Sequence, residues 1–183
     1  MKNKMILVGG YCAAGKSTFS QNLSRELKIP CFNKDAIKET LGDSFGTGNE
    51  EVFKKGSYTT FLLMLHIAES FLKAGKVCIL ESNFTLREIE QVKALLEKYN
   101  GECLLYVFKG DLDILFDRYV KRDKERHWVH KTSGDREGFK NAMVSAFGRL
   151  EEAEIEQTVT VDATSFAEVN YDDLFEIAKR FSV

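Results

Sequence analysis

Residues 10–17 read G-Y-C-A-A-G-K-S, which matches the spacing G-x-x-x-x-G-K-[ST]. The glycines of this pattern let the backbone turn so tightly that successive N–H groups point at phosphate oxygens. The lysine reaches the β- and γ-phosphates of a nucleoside triphosphate, and the hydroxyl ligates Mg²⁺. A chance match on a glycine-containing turn is the alternative. We predict an ATP site with Mg²⁺, and its nucleotide-binding residues are Gly10, Ala13, Ala14, Gly15, Lys16, Ser17 and Thr18.

Two carboxylates follow predicted strands. Asp35 comes after residues 31–33, where it could accept the proton of a substrate hydroxyl or could only cap its own helix. Glu81 follows residues 77–80, where it could hold a Mg²⁺-bound water or orient a neighbouring cation, or could be only a solvent-exposed edge charge. Because parallel strands bring their carboxyl ends to one edge, the functional roles are favoured. Asn83 and Arg87, just beyond Glu81, are then predicted to face the substrate that accepts the phosphate.

Three arginines recur at a spacing of four, at Arg118, Arg122 and Arg126. On a helix this spacing aligns them in one stripe, which could be a solvated face paired with Asp117, Asp123 and Glu125. Residues 118–140 hold eight Lys or Arg against four Asp or Glu, so this segment is locally basic. The functional interpretation is a mobile lid over about residues 118–138 that brings cations onto a transferring phosphoryl group.

The elements that must position these residues alternate along the chain. Short apolar runs predict strands at residues 5–8, 31–33, 77–80, 102–108 and 158–161. Helical periodicity and capping signals predict helices at residues 18–27, 35–41, 57–73, 85–99, 112–125, 138–153 and 171–181. The glycine-rich residues 42–55 are predicted to form a loop or hinge. This alternation is typical of an α/β fold with a parallel sheet covered on both faces.

Size and composition limit the alternatives. The 183 residues are 44% hydrophobic, which suits a single domain over residues 1–183. A net charge of −2 gives no bulk basic field, so a nucleic-acid partner is disfavoured. Neither an apolar run of membrane-spanning length nor a signal peptide is present, so we expect a cytoplasmic protein with no membrane partner. The cysteines are expected to be reduced and non-ligating, and oxidation of Cys12 in the phosphate loop is a separate hypothesis.

Four segments together resemble a known family: G-G-Y-C-A-A-G-K-S-T, F-N-K-D-A-I-K-E-T, C-I-L-E-S-N-F and D-R-Y-V-K-R-D-K-E-R-H. They look like the small P-loop kinases related to zeta toxins, chloramphenicol phosphotransferase and the kinase domain of polynucleotide kinase. The resemblance implies a three-layer α/β/α fold with a five-stranded parallel sheet in the order 2-3-1-4-5. It also implies that Asp35 is the base, that Glu81 matches a carboxylate after the third strand, and that residues 163–166 lie beside adenine.

The lid and the acceptor side carry the other implications of this resemblance. Arg122 and Arg126 match the lid arginines. Lys38 stands where polynucleotide kinases carry an arginine, so we assign it to substrate binding but doubt a nucleic-acid 5′-hydroxyl as substrate. Trp128 and Val129 replace a Pro-Gly found between two lid histidines in many relatives, so the lid is expected to close differently.

The leading hypothesis is an ATP- and Mg²⁺-dependent kinase that phosphorylates a hydroxyl of a small molecule. A nucleoside monophosphate kinase and a polynucleotide 5′-hydroxyl kinase are the alternatives within the class. A P-loop regulatory switch is the alternative of another class, because residues 43–46 imitate the D-x-x-G of GTPases. That imitation is weak, since these residues follow a predicted helix and not a strand.

Overall fold

The computed structural model describes residues 2–46, 50–123, 125–130 and 135–183. Its strands are β1 (Asn3–Gly10), β2 (Cys31–Asn33), β3 (Cys78–Glu81), β4 (Gly101–Lys109) and β5 (Gln157–Asp162). They form one parallel sheet in the order β2-β3-β1-β4-β5. This result confirms both the predicted fold class and the strand order that the resemblance implied.

Helices cover both faces of the sheet. They are α1 (Lys16–Leu27), α2 (Lys34–Phe45), α3 (Glu50–Lys73), α4 (Leu86–Lys98), α5 (Leu112–Asp123), α6 (Arg136–Ala142) and α7 (Tyr171–Ser182). Alternate side chains of β1 point to opposite faces, so Ile6 joins the core beneath α1, α5, α6 and α7, and Leu7 joins the core beneath α3 and α4. None of the described helices has the length and apolar character needed to cross a membrane.

The predicted loop over residues 42–55 is largely helical. Helix α2 continues through Gly42 to Phe45, and α3 already begins at Glu50, while residues 47–49 lie outside the described residues. The glycine that ends α2 is Gly46, whose φ of +75° breaks the helical path. Gly42 is buried within α2 instead. The sequence prediction took the earlier glycine for the helix stop.

The predicted helix over residues 138–153 is divided into shorter pieces. After α6 come a π-helical turn at Met143–Phe147 and a 3₁₀ turn at Leu150–Ala153. Gly148 separates them, and a Cβ there would lie 2.5 Å from the Val144 carbonyl oxygen. The predicted lid is divided as well, because α5 ends at Asp123, a 3₁₀ turn spans Trp128–His130, and α6 begins at Arg136. Lys124 and Lys131 of the basic segment lie outside the described residues.

Candidate active site

The phosphate loop between β1 and α1 has the backbone that its glycines allow. Gly10 and Gly15 have φ values of +114° and +85°, and a Cβ on Gly10 would lie 2.1 Å from the Phe108 carbonyl oxygen. Helix α1 starts without a side-chain cap, so the N–H groups of its first turn can bind phosphate. The Nζ of Lys16 is buried and donates to the Tyr11 carbonyl oxygen at 2.6 Å. The loop therefore gathers a cation and backbone donors at one point.

Ser17 and Glu81 meet at the carboxyl edge of the sheet. The Ser17 Oγ donates to Glu81 Oε2 at 3.1 Å, and Asn33 Nδ2 donates to Ser17 Oγ at 3.3 Å. Glu81 is only 4% exposed, which excludes the solvent-exposed edge charge as its role. Burial raises the pKa of Glu81 to about 7, and the nearby Lys16 opposes that rise.

This oxygen pair fits Mg²⁺, because a buried carboxylate beside a hydroxyl gains from a hard cation. The described residues contain no group of three or more His, Cys, Asp or Glu side chains arranged to hold a metal. A divalent cation at Ser17 and Glu81 would therefore take its other ligands from phosphate and water, as Mg²⁺ commonly does.

Asp35 lies in the first turn of α2, but another residue caps this helix. Asn33 is the N-cap, and its Oδ1 accepts from the Ala36 backbone N–H at 2.7 Å. The alternative that Asp35 only caps its own helix is therefore wrong. Its carboxylate instead faces the predicted lid, with Arg126 at 3.4 Å and His130 Nδ1 at 3.9 Å. A candidate base and a candidate lid cation thus stand opposite each other.

Two histidines of the lid make further contacts with α2. The Nε2 of His127 lies 2.9 Å from Asp43 Oδ1, and the Nε2 of His130 lies 3.1 Å from Glu39 Oε1. Burial lowers the pKa of His130, which favours the neutral imidazole. The lid is therefore anchored along α2 over more than two helical turns.

A cleft of about 530 Å³ brings the predicted groups together. Its walls include Ser17, Asp35, Arg122 and Arg126. Helix α1 contributes the Ser17 hydroxyl, α2 the candidate base, and α5 with the following residues the two arginines. This arrangement can transfer a phosphoryl group from a nucleotide held by the phosphate loop to a nucleophile beside Asp35.

Arg118 does not share the role predicted for the arginine stripe. Its guanidinium donates to the carbonyl oxygens of Ala163 and Thr164 at 2.6 Å and 2.7 Å and lies 3.9 Å from the centre of the Phe166 ring. The same ring would contact a Cβ on Gly15 at 3.1 Å. Arg118 therefore holds the loop after β5 against the phosphate loop and is not among the cleft residues. The alternative pairing with Asp117 is wrong too, since Asp117 bonds to Arg136 instead.

The three remaining predicted substrate-binding residues lie in different settings. Lys38 is half-buried one turn after Asp35, and burial lowers its pKa while Asp35 opposes that shift. Asn83 turns to the phosphate loop, where its Nδ2 donates to Cys12 Sγ at 3.0 Å. Arg87 is exposed on α4, with its guanidinium 5.4 Å from the centre of the Tyr58 ring. Their substrate-binding roles stay predictions.

Two structural features of the site were missed from the sequence. Asn33 links the Ser17 hydroxyl to the start of α2, and an asparagine before a helix is an N-cap signal that could have been noticed. The second feature is a buried ion pair between Lys34 and Glu88 at 2.6 Å, which ties α2 to the first turn of α4. These residues are 54 positions apart, so no local pattern indicates their contact.

Comparison with known proteins gives a family and a set of similar folds. Residues 5–146 match the family described as AAA domain. A shikimate kinase from Flavobacterium johnsoniae is 28% identical over 131 residues, which cover 67% of this chain and 69% of that protein.

Solved structures resemble the whole chain. A proposed kinase from Chloroflexus aurantiacus has a TM-score of 0.87 at 24% identity and covers 99% of both chains. A gluconokinase from Sinorhizobium meliloti has a TM-score of 0.62 at 15% identity and covers 98% of this chain and 94% of its own. At these identities the likeness to solved structures concerns the fold.

Proposed function

The chain belongs to the AAA domain family, and on that premise we propose that it is an ATP-dependent kinase acting on a hydroxyl group of a small molecule. The curated relative in this comparison is a shikimate kinase, and the solved structures of similar fold include a gluconokinase. A small-molecule phosphotransferase of P-loop fold is the function that these relatives and the site support together.

One observation carries the proposal. A single cleft is lined by Ser17 of the phosphate loop, by Asp35, and by Arg122 and Arg126. Parts for holding a triphosphate, for accepting a proton and for stabilising a transferring phosphoryl group therefore border the same space. A site that only bound nucleotide would not need a carboxylate opposite two arginines.

Transfer follows from the placement of these groups. The acceptor hydroxyl oxygen bonds to the γ-phosphorus as the bond to the β–γ bridging oxygen breaks, and ADP leaves with that electron pair. Asp35 accepts the hydroxyl proton, while Lys16 and the two cleft arginines neutralise the charge on the phosphate oxygens. Ser17 and Glu81 would hold Mg²⁺, which would add charge neutralisation at the phosphates. Arg126 Nη2 lies 3.4 Å and His130 Nδ1 lies 3.9 Å from the Asp35 carboxylate, so both border the candidate base.

The finer assignments of the sequence are proposals too. The zeta toxin, chloramphenicol phosphotransferase and polynucleotide kinase subgroup rests on the motifs around Lys16, Asp35, Glu81 and Arg122. The proposals of a single domain over residues 1–183 and of a cytoplasmic location rest on composition and charge, which also disfavour a nucleic-acid substrate. A regulatory switch is less favoured, because the D-x-x-G imitation begins within α2, where Asp43 contacts His127 and not a nucleotide loop.

The test is an ATP-consumption screen with Mg²⁺ over sugars, hydroxy acids, nucleosides, antibiotics and oligonucleotide 5′-ends, with Lys16→Ala as the blank. We expect one class of hydroxyl compound to stimulate ADP release and to gain one phosphate by mass spectrometry. Hydrolysis that no acceptor stimulates, together with a partner protein retained in only one nucleotide state, would favour the switch.

The same screen separates the kinase alternatives. A nucleoside monophosphate kinase transfers to a phosphate oxygen and needs no base, so its turnover would survive Asp35→Asn. A hydroxyl kinase would lose most of its turnover in this variant. Stimulation by oligonucleotide 5′-ends would indicate the polynucleotide alternative.

A further inference from the structure

Gly42 is a buried glycine in the last third of α2, and its lack of a side chain leaves a hollow against which residues 127–129 of the lid pack. A Cβ on Gly42 would lie 2.4 Å from Val129 Cγ1, 3.4 Å from Trp128 Cζ2 and 3.5 Å from His127 Cε1. Real Cβ atoms do not approach other atoms as closely as 2.4 Å, so only glycine leaves room for the valine methyl. Glycine within a helix is less favourable than alanine, and the contact with Val129 explains why a glycine stands at this position.

Polar contacts between the lid and three carboxylates of α2 border this hollow but do not define its geometry. Along α2, Asp35 contacts Arg126, Glu39 contacts His130, and Asp43 contacts His127. The side chains of Asp35 and Asp43 are 59% and 70% exposed, and ion pairs at such exposure are weak and tolerate several geometries. Val129 is different, because a β-branched side chain has few rotamers and fits the hollow in one way.

We propose that Gly42 and Val129 are positioning residues for phosphoryl transfer. The Cγ1 methyl of Val129 packs into the hollow at Gly42, and this contact sets how closely residues 126–130 approach α2. That depth places the Arg126 guanidinium at the Asp35 carboxylate, on the border of the cleft. The inference that these residues affect catalysis rests on the proposed function, whereas the packing of the two residues does not.

The chain offers a matched control for this proposal. Gly56 lies within α3, and among the residues that the structure describes a Cβ placed on it would have no atom within 4 Å other than the backbone of its own helix. Alanine is more favourable than glycine within a helix, so Gly42→Ala and Gly56→Ala both gain helix propensity and neither substitution is expected to unfold the protein. They differ in whether the new methyl meets the lid.

The position of the lid can be read without knowing the acceptor. Trp128 is the only tryptophan of the chain and belongs to the 3₁₀ turn that packs on α2. We expect Gly42→Ala to shift Trp128 emission to longer wavelength and to raise the acrylamide quenching constant about twofold, as a locally displaced segment exposes its side chains. Gly56→Ala should match the wild type.

A second substitution tests whether the collision is the cause. Val129→Ala removes the Cγ1 atom that the new methyl would meet, so Gly42→Ala/Val129→Ala should return Trp128 quenching toward the wild-type value. Val129→Ala alone leaves a small void and should have an intermediate effect. The proposed contact between Gly42 and Val129 would be overturned if Gly42→Ala raised Trp128 quenching and the double variant did not lower it again.

Turnover supplies the catalytic readout. With the acceptor found by the screen, Gly42→Ala should lower kcat about tenfold, as misplacement of a catalytic group by a fraction of an ångström does. The KM for ATP should stay within about twofold, because the phosphate loop is unchanged. Equal kcat and equal quenching in Gly42→Ala and Gly56→Ala would overturn the proposal and leave the kinase function intact. A wild-type protein without transfer would instead overturn the function, and the quenching series would still decide the packing.

Discussion

The phosphate end and the lid end of the cleft are held in different ways. At the phosphate end, Lys16 and Glu81 are 5% and 4% exposed. Lys16 and Ser17 open α1 after the five-residue loop that follows β1, so a short stretch of chain positions them. At the lid end, the carboxylates of Asp35 and Asp43 are largely exposed to solvent. Their partners Arg126 and His127 lie 91 and 84 residues further along the chain.

This difference indicates a division of labour. At the phosphate end the buried Lys16 and Glu81, together with Ser17, are held in place by the sheet and α1, which is the preorganisation that a phosphate site needs. The lid end depends on tertiary contacts between α2 and residues 126–130, whose exposed ion pairs contribute little stability. Substitutions at the phosphate end should therefore damage nucleotide binding and transfer together. Those at the lid end should damage transfer alone.

The largest effect is expected at the phosphate end. Lys16→Ala should reduce kcat/KM for ATP about 10³-fold, because the buried ammonium is lost from the position of the β- and γ-phosphates. Nucleotide affinity, measured by calorimetry with an unhydrolysable ATP analogue, should fall as well. Lys179→Ala on α7 is the control, since that lysine is exposed and pairs with Glu176. If the affinity of Lys16→Ala for the ATP analogue were unchanged, the phosphate end would not differ from the lid end in its effect on nucleotide binding.

Asp35→Asn should have the next largest effect and should spare nucleotide binding. We expect kcat to fall about 10²-fold, the lower part of the range for a general base, because the transition state of phosphoryl transfer is loose. The KM for ATP should remain within about twofold. Asp43→Asn is the matched comparison on the same helix. It should lower kcat only a few-fold, since it alters the contact with His127. Equal losses in both variants would argue against Asp35 as the base.

The same contrast explains what could be predicted from the sequence. The phosphate loop, the strands beside it and the positions of Asp35 and Glu81 follow from local patterns, because glycine spacing and apolar runs determine backbone shape over a few residues. Glu81 shows the limit of that reasoning: its place at a strand end could be predicted, but its burial depends on the neighbouring strands and helices.

The lid was predicted less well, for a physical reason. A spacing of four aligned Arg118 with Arg122 and Arg126, but α5 ends at Asp123, so Arg126 leaves the helical stripe. Arg118 instead reaches the loop after β5, 45 residues away. The predicted helix ended before Gly42 for a related reason: the contact that a side chain at residue 42 would make is with Val129, which lies far along the chain. Long-range packing leaves no local signature in such residues.

Substitutions of Arg126 and Arg118, the two outer arginines of the predicted stripe, should have different effects on kcat, KM and stability. Arg126→Ala should lower kcat about tenfold, less than the ~10²–10³ typical of an isolated donor because Arg122 lines the same cleft. Arg118→Ala should leave kcat unchanged and raise the KM for ATP a few-fold. It should also lower the free energy of unfolding by about 1–2 kcal/mol through the loss of two carbonyl contacts. Steady-state kinetics measure kcat and KM, and urea unfolding measures the free energy of unfolding. A loss of kcat in Arg118→Ala would mean that all three arginines of the predicted stripe act in transfer.

The smallest effect concerns the dependence of stability on pH at the lid end. Burial lowers the pKa of His130, with Arg126 and Lys38 acting in the same direction and with Asp35 and Glu39 opposing it. A lowered pKa means that the unfolded chain binds the proton more readily. The stability from the neutral imidazole is therefore complete above the ordinary pKa of about 6.5 and declines as the pH falls through the lowered value.

His130→Gln removes this titration, so its melting temperature should fall less than that of the wild type between pH 7.5 and pH 5, by on the order of 2 °C. His66→Gln is the control, because His66 is exposed on α3 and away from the lid. Differential scanning fluorimetry across this range measures all three proteins. A wild-type melting temperature that rises relative to His130→Gln as the pH falls would mean that Asp35 and Glu39 outweigh burial. The lid end would then be strengthened by protonation, and its exposed carboxylates would matter more than its packing.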